Sequence, residues 1–373
     1  MSNEDKGNIS QNSSNSELIE GLGEEVDASW ADYPIDTLLI RNENRTVHDV
    51  LRRIEKGAFI MDPDFQREFI WEEDKQSKLI ESVLMRIPLP VFYLAEDEDG
   101  RMVVVDGLQR LSTFQRFMNN ELQLKLPEQP DLNKKKFHDL SPKLQNRVED
   151  CNLILYVIDA KVPERARLDI FERVNGGVPL TRQQMRNSLF MGKATRFLKT
   201  EATSDAFLNA TGGSLPSSSM RDREFVNRFC AFQLFPLEEY KGDMDDFLAK
   251  VLKKMNKLED DALARLSEEF RNSLINNFVV FGKHAFRKHT RNQEIRSVLN
   301  ASLWDVLSTG LTHYHTYMVE SKAGILREAF YELMENPDFS SAITYGTSDV
   351  KKVRIRFKIA NDVFKEVFGD YSN

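Results

Sequence analysis

Asp106-Gly107-Leu108-Gln109-Arg110 follows a run of three valines, Val103 to Val105. A buried strand that hands over to a helix through Asp-Gly leaves free backbone N–H groups at the helix start, and the helix dipole favours an anion there. Gly107 permits close backbone approach or a positive φ. Arg110 adds a permanent cation that can hold a phosphate through two hydrogen bonds. Asp106 is suited to Mg²⁺, to orienting water, or to a ribose or base. The plainer alternative makes Asp106 a helix N-cap and Arg110 a surface residue, because strand-Asp-Gly-helix is a common arrangement.

Two other stretches carry similar groups. Phe65-Gln66-Arg67-Glu68-Phe69-Ile70-Trp71 sets Gln, Arg and Glu among aromatics ahead of a helix, a composition that suits a base or a sugar-phosphate. The alternative there is that the aromatics anchor a loop to the core. Phe171-Glu172-Arg173-Val174-Asn175-Gly176-Gly177 puts Arg and Asn at a helix end before two glycines, where Asn equally serves as a C-cap.

Taken in order along the chain, Gln66-Arg67 with Trp71, the Leu79-Ile80-Glu81-Ser82 helix leading to Ile87-Pro88-Leu89-Pro90, the box at 106–110 and Phe-x-Arg-Val-Asn at 171–175 resemble one family. It is the ParB/sulfiredoxin-like amino-terminal domain of GmrSD-type modification-dependent restriction enzymes and SspE-like phage-defence proteins. The resemblance covers about residues 35–190. It implies nucleotide binding and hydrolysis coupled to DNA restriction or defence. By matching position it assigns catalysis to Asp106, Gln109 and Arg110, and nucleotide binding to Gln66, Arg67, Gly107, Arg173 and Asn175. The implied cofactor is Mg²⁺ with a nucleoside triphosphate, Asp106 being the metal candidate. Two departures stand out. The family box reads Asp-Gly-Gln-Gln-Arg where this chain has Leu108. The HNH nuclease that restriction enzymes add is not recognisable either, because the six histidines lack its spacing. A separate nuclease subunit is therefore an implied partner.

The elements that position these groups follow from hydrophobic pattern. Val91–Ala95 and Met102–Val105, split by Glu-Asp-Glu-Asp-Gly, predict a β-hairpin. Helices are predicted over 73–87, with Leu79, Ile80, Val83, Leu84 and Ile87 on one face, over 108–118 and over 163–174; Leu153–Ile158 predicts another strand. Residues 58–72 read as a loop. Thr46 is placed to cap a short helix, and Thr181-x-x-Gln184 resembles a capping box. Beyond 181 helical periodicity dominates, with helices expected over 222–235, 244–257, 260–284, 296–317 and 321–335, and a last one carrying Val350, Val353, Phe357, Ala360, Phe364 and Val367. The fold class is α+β: a small mixed sheet with helices at 33–180, then an all-helical domain at 181–373, behind an acidic tail at 1–32.

The bulk numbers constrain function less. The net charge is −8, but residues 1–30 hold seven acids against Lys6, leaving the body near neutral. An acidic pI of this origin does not exclude an anionic partner. Two cysteines far apart give no disulfide framework or zinc pattern, and no apolar run approaches the roughly 20 residues that span a bilayer, so the expected location is the cytoplasm. His313-x-His315 does not complete a metal site, and Gly192-Lys193-Ala194-Thr195 lacks the Walker A spacing. Lys283, Arg287, Lys288, Arg291 and Arg296 form the densest basic stretch and are the DNA-binding candidates; Lys351, Arg354 and Lys358 share a face of the last helix. Two rival functions remain open. One is a non-catalytic DNA-binding or adaptor subunit. The other is a metal-dependent nuclease built on acids such as Asp62, Asp64 and Asp106.

Overall fold

The structure is a computed structural model that describes residues 19–22, 39–61, 71–174 and 181–369. These fall into two compact units, one drawn from Glu25–Ala202 and Ser217–Leu266, the other from Met1–Glu24, Thr203–Pro216 and Ser267–Asn373. No helix among the described residues is long and apolar enough to cross a membrane.

The first unit is built on a mixed five-stranded sheet, so the molecule is α+β. Strands β1 (Ile40–Thr46), β2 (Phe59–Ile60), β3 (Phe92–Glu96), β4 (Met102–Asp106) and β5 (Asn152–Ile158) lie in the order β1-β5-β3-β4-β2. β3 and β4 form the predicted antiparallel hairpin, while β5 runs parallel to β3 with Phe92 opposite Leu155. The N-terminal ends of β3 and β5 and the C-terminal end of β4 therefore share one edge of the sheet. β1 was not foreseen. Its sequence, Ile-Arg-Asn-Glu-Asn-Arg-Thr, has one apolar residue, and it is held by antiparallel pairing with β5 and by Arg41–Glu43 and Arg45–Glu43 ion pairs. β2 lies inside the stretch read as a loop, because two residues pairing parallel to β4 leave no periodic signal.

Around the sheet stand α1 (Val47–Glu55), α2 (Glu73–Leu84), α3 (Leu108–Met118), α4 (Pro142–Glu149) and α5 (Glu164–Val174). Thr46 caps α1 by accepting from Asp49 N–H at 3.2 Å, as its sequence predicts. The core joins Val50 and Leu51 of α1, Ile80 and Val83 of α2, Leu111 and Phe114 of α3, and Leu153 and Leu155 of β5. Four further helices complete the unit: α6 (Arg182–Leu189), α7 (Lys193–Ala202), α9 (Arg221–Leu234) and α10 (Met244–Asn256); α8 (Asp205–Thr211) belongs to the other unit. The capping box opening α6 is present, Thr181 accepting from Gln184 N–H and Gln184 from Thr181 N–H.

α11 (Asp260–Phe281) runs from the first unit into the second, where α12 (Ala301–Gly310), α13 (Thr316–Glu335), α14 (Pro337–Thr344) and α15 (Val350–Phe368) follow. α12 is shorter than the predicted 296–317 helix because Asn300 caps it, its side chain accepting from Leu303 N–H. α12 and α15 approach closely: a Cβ on Gly310 would sit 2.1 Å from the Phe364 ring. Asp349 caps α15 through Lys351 and Lys352 N–H.

In this unit His289 stacks on Phe330 at 4.8 Å and on His284 at 4.9 Å, and its Nδ1 is 2.9 Å from the Arg287 carbonyl. Burial pushes both imidazoles below their usual range, reinforced for His284 by the Lys283 and Arg287 cations. The unfolded chain takes up protons at these positions near pH 6.5 and the folded chain resists, so stability falls as pH drops through that value. The urea midpoint is expected to be lower at pH 5.5 than at pH 7.5, with a smaller difference in His289→Phe. Equal wild-type midpoints would remove this account.

Candidate functional site

The end of β4 is built as a strand-to-helix corner. Val103 and Val104 are buried and the chain turns at Gly107, whose φ of +100° is left-handed. Glycine is required twice over: the conformation disfavours any Cβ, and a Cβ there would fall 2.2 Å from the Phe92 ring. α3 starts at once, and no side chain among the described residues caps its first amides. A β-bulge between Tyr93 and Leu94 lies beside the corner, Tyr93 pairing with Asp106.

Asp106 is partly exposed and faces Arg110, whose Nη2 donates to its Oδ2 at 2.7 Å. Gly107 N–H also bonds the carboxylate. Burial pushes the Asp106 carboxyl up against the pull of Arg110, and burial likewise lowers the Arg110 guanidinium against the pull of Asp106. Arg110 is turned inward. Nη1 donates to the Pro90 carbonyl, Nη2 donates to Val91 O at 3.0 Å, and the guanidinium lies 4.1 Å from the centre of the Phe92 ring. Its expected grip on a phosphate is thus replaced in this structure by a grip on the 90–91 segment and Asp106. An aromatic face and two converging carbonyls supply the reason.

Gln109 presents its amide in two directions. Oε1 accepts from Trp71 N–H at 3.0 Å, whereas Nε2 is buried with no partner among the described residues. Trp71 is held further by Gln76, whose Nε2 donates to Trp71 O and whose Oε1 accepts from Arg116 at 2.8 Å. Leu108 points into the hydrophobic core, so its replacement of a family glutamine subtracts no amide from the corner.

The remaining predicted residues fare differently. Gln66, Arg67 and Asn175 lie outside the described residues, as do Asp62 and Asp64; the chain carrying Gln66 and Arg67 enters the described part at Trp71, docked on Gln109. Arg173 is exposed in the last turn of α5, a helix that packs against β4. The basic stretch 283–296 does not present five cations together. Arg287 is fully buried, its Nη2 donating to Thr211 O and Ser214 Oγ, both at 2.8 Å. Lys288 pairs with Glu20, Arg291 pairs with Glu328 at 2.9 Å, and Arg296 leans on Gly212 O at 3.4 Å; Lys283 is exposed. No group of three or more His, Cys, Asp or Glu is placed to hold a metal among the described residues.

The sequence reading passed over a buried polar network beside β4. α6 packs on that strand and buries Gln183, Arg186 and Asn187. Arg186 pairs with the buried Asp245, which Arg182 also reaches at 2.6 Å, and Arg182 extends to Asp169 at 2.8 Å. Asn227 donates to Gln183 at 3.3 Å. A signal existed: Arg-Gln-Gln-Met-Arg-Asn-Ser-Leu is too polar to bury itself through apolar area, so its burial requires partners of this kind.

Residues 47–191 match the family model described as the GmrSD restriction endonuclease N-terminal domain. That stretch is a GmrSD-type N-terminal domain. The matched stretch begins with α1, directly after β1, and holds the hairpin, the 106–110 corner and α6. The comparison with curated proteins found no match.

Proposed function

We propose that the GmrSD-type domain binds a nucleoside triphosphate at the end of β4, and that the chain is a nucleotide-handling sensor or switch of a DNA restriction or phage-defence system. The observation that carries this reading is that, among the described residues, no side chain caps the first α3 amides and Gln109 Nε2 has no partner, at a corner only glycine can form. Buried donors are satisfied in nearly all folded proteins, and phosphate oxygens are the acceptors that suit both sets. Arg110 acts as a positioning residue that fixes Asp106 and the 90–91 segment. Arg173 and the family positions Gln66, Arg67 and Asn175 supply the rest of the triphosphate contacts. Asp106 is the carboxylate at the corner, and Mg²⁺ held there with the triphosphate would neutralise charge on the phosphates during transfer. Gln109 Nε2 has two hydrogens, one for a phosphate oxygen and one that would orient the attacking water beside it. Strand cleavage falls to a separate nuclease.

Calorimetry with each Mg·NTP and phosphate release test this. Asp106→Asn keeps an oxygen for Arg110 while removing the charge. It is expected to lower phosphate release at least tenfold with melting temperature preserved. Release and nucleotide affinity both equal to wild type would remove Asp106 from the site. Nucleotide binding without turnover in the wild type would favour the non-catalytic reading instead.

A further inference from the structure

A groove of about 560 Å³ opens between the end of α2, α4 and the start of β5. Val83 and Leu89 contribute apolar floor, while Arg86, Lys143 and Arg147 supply three cations against one acid, Asp150. Lys143 and Arg147 are four residues apart on α4 and so share a face. None of the three cations has an ion-pair partner among the described residues. Elsewhere in the same unit arginines are matched: Arg45, Arg52 and Arg53 converge on Asp49, and Arg101 meets Asp97 and Asp99.

The backbone directs these groups deliberately. Arg86 N–H donates to Val83 O and Ile87 N–H to Ser82 O, both at 2.9 Å, closing α2 with a motif whose left-handed position favours glycine. Arg86 occupies that position at φ +61°. Holding a side chain there costs about 1 kcal/mol. Arg147 is fixed by Nη1 donating to Leu84 O at 3.0 Å, and its Nε is buried without a partner among the described residues.

We infer that this groove holds the phosphodiester backbone of DNA. The choice of DNA rests on the restriction-system reading; the choice of a backbone rests on the groove. It is open, and no aromatic ring among the described residues lines it to stack a base. It also lies at the sheet edge where β4 ends. The segment from Arg86 to Leu89 lines it, and Arg110 holds the next two residues, Pro90 and Val91, from the Asp106 side. The final helix also exposes Lys351, Arg354 and Lys358, and serves as the comparison surface in the test.

The test is fluorescence anisotropy of the full chain with a fluorescein-labelled 20-base-pair duplex between 50 and 200 mM KCl, conditions over which backbone contacts dominate. Arg86→Gln with Lys143→Gln is expected to weaken binding at least tenfold and to reduce the slope of log affinity against log salt by about two, one per lost contact. Lys351→Gln, Arg354→Gln and Lys358→Gln together should leave that slope unchanged. Arg86→Gly should weaken DNA binding while melting at or above the wild-type temperature, which separates charge from folding. No duplex binding at 50 mM KCl, unchanged affinity in the double variant, or loss confined to the final-helix variant would each overturn the assignment. ATP calorimetry on the double variant separates the two sites: retained ATP binding supports it, and lost ATP binding makes the groove a nucleotide site and defeats it. Should wild-type protein bind no ATP while the double variant still loses DNA, the groove stands and the nucleotide reading falls.

Discussion

Asp305→Ala is expected to destabilise the second unit by about 3–5 kcal/mol, the range for removing one partner of a buried ion pair. Asp305 and Arg356 are both fully buried, joined at 2.9 Å between Arg356 Nη2 and Asp305 Oδ2. Arg356 Nη1 donates to Thr347 O at 2.5 Å, so one guanidinium ties α12, α15 and the turn before α15. Arginine does not shed its proton to escape, so alanine leaves a charge in the core. Urea unfolding followed by circular dichroism reads the effect. Asp305→Asn with Arg356→Met removes the charge along with its partner and should recover a large part of the loss. A single variant within 1 kcal/mol of wild type would show that the pair bears little of the unit's stability.

How much of this was legible in the residues differs by position. The hairpin and the helix at 108–118 follow from local pattern, and they appear where the pattern puts them, because valine runs and 3/4 spacing report burial directly. The corner glycine was legible for the same reason: Asp-Gly between a strand and a helix admits few geometries. The direction of Arg110 was not. It is decided by Phe92, eighteen positions earlier, and by two carbonyls of the preceding segment, and no local rule carries that information. Arg287 shows the same limit from the other side. Its charge reads as surface, yet carbonyl and hydroxyl acceptors from 211–214 take it into the core. Arg86 passed unnoticed because a cation in the last turn of the helix predicted over 73–87 reads as ordinary solvation. Only its left-handed backbone and missing counter-charge mark it.

Gly107→Ala tests the corner itself. Two independent penalties meet at this position. A left-handed L-residue costs about 1–2 kcal/mol, and forcing a methyl into packed atoms costs about 1–3 kcal/mol more. The second applies in full here, since the methyl would lie 2.2 Å from a ring carbon of Phe92, and Phe92 is fully buried with Arg110 on its face. The ring cannot withdraw without releasing Arg110, and Arg110 cannot leave without releasing Asp106 and the 90–91 segment. The substitution is therefore expected to lower stability by about 2–5 kcal/mol and, in protein that still folds at low temperature, to weaken nucleotide binding at the same time. Phe92→Leu offers a separation. Added to Gly107→Ala, it opens space for the methyl and should return the packing part of the loss. The left-handed part should persist, since no neighbour sets it, and the difference between the two variants divides one penalty from the other. If Gly107→Ala melts with the wild type, the corner has an alternative geometry, and its amides are not held open for a phosphate by Gly107.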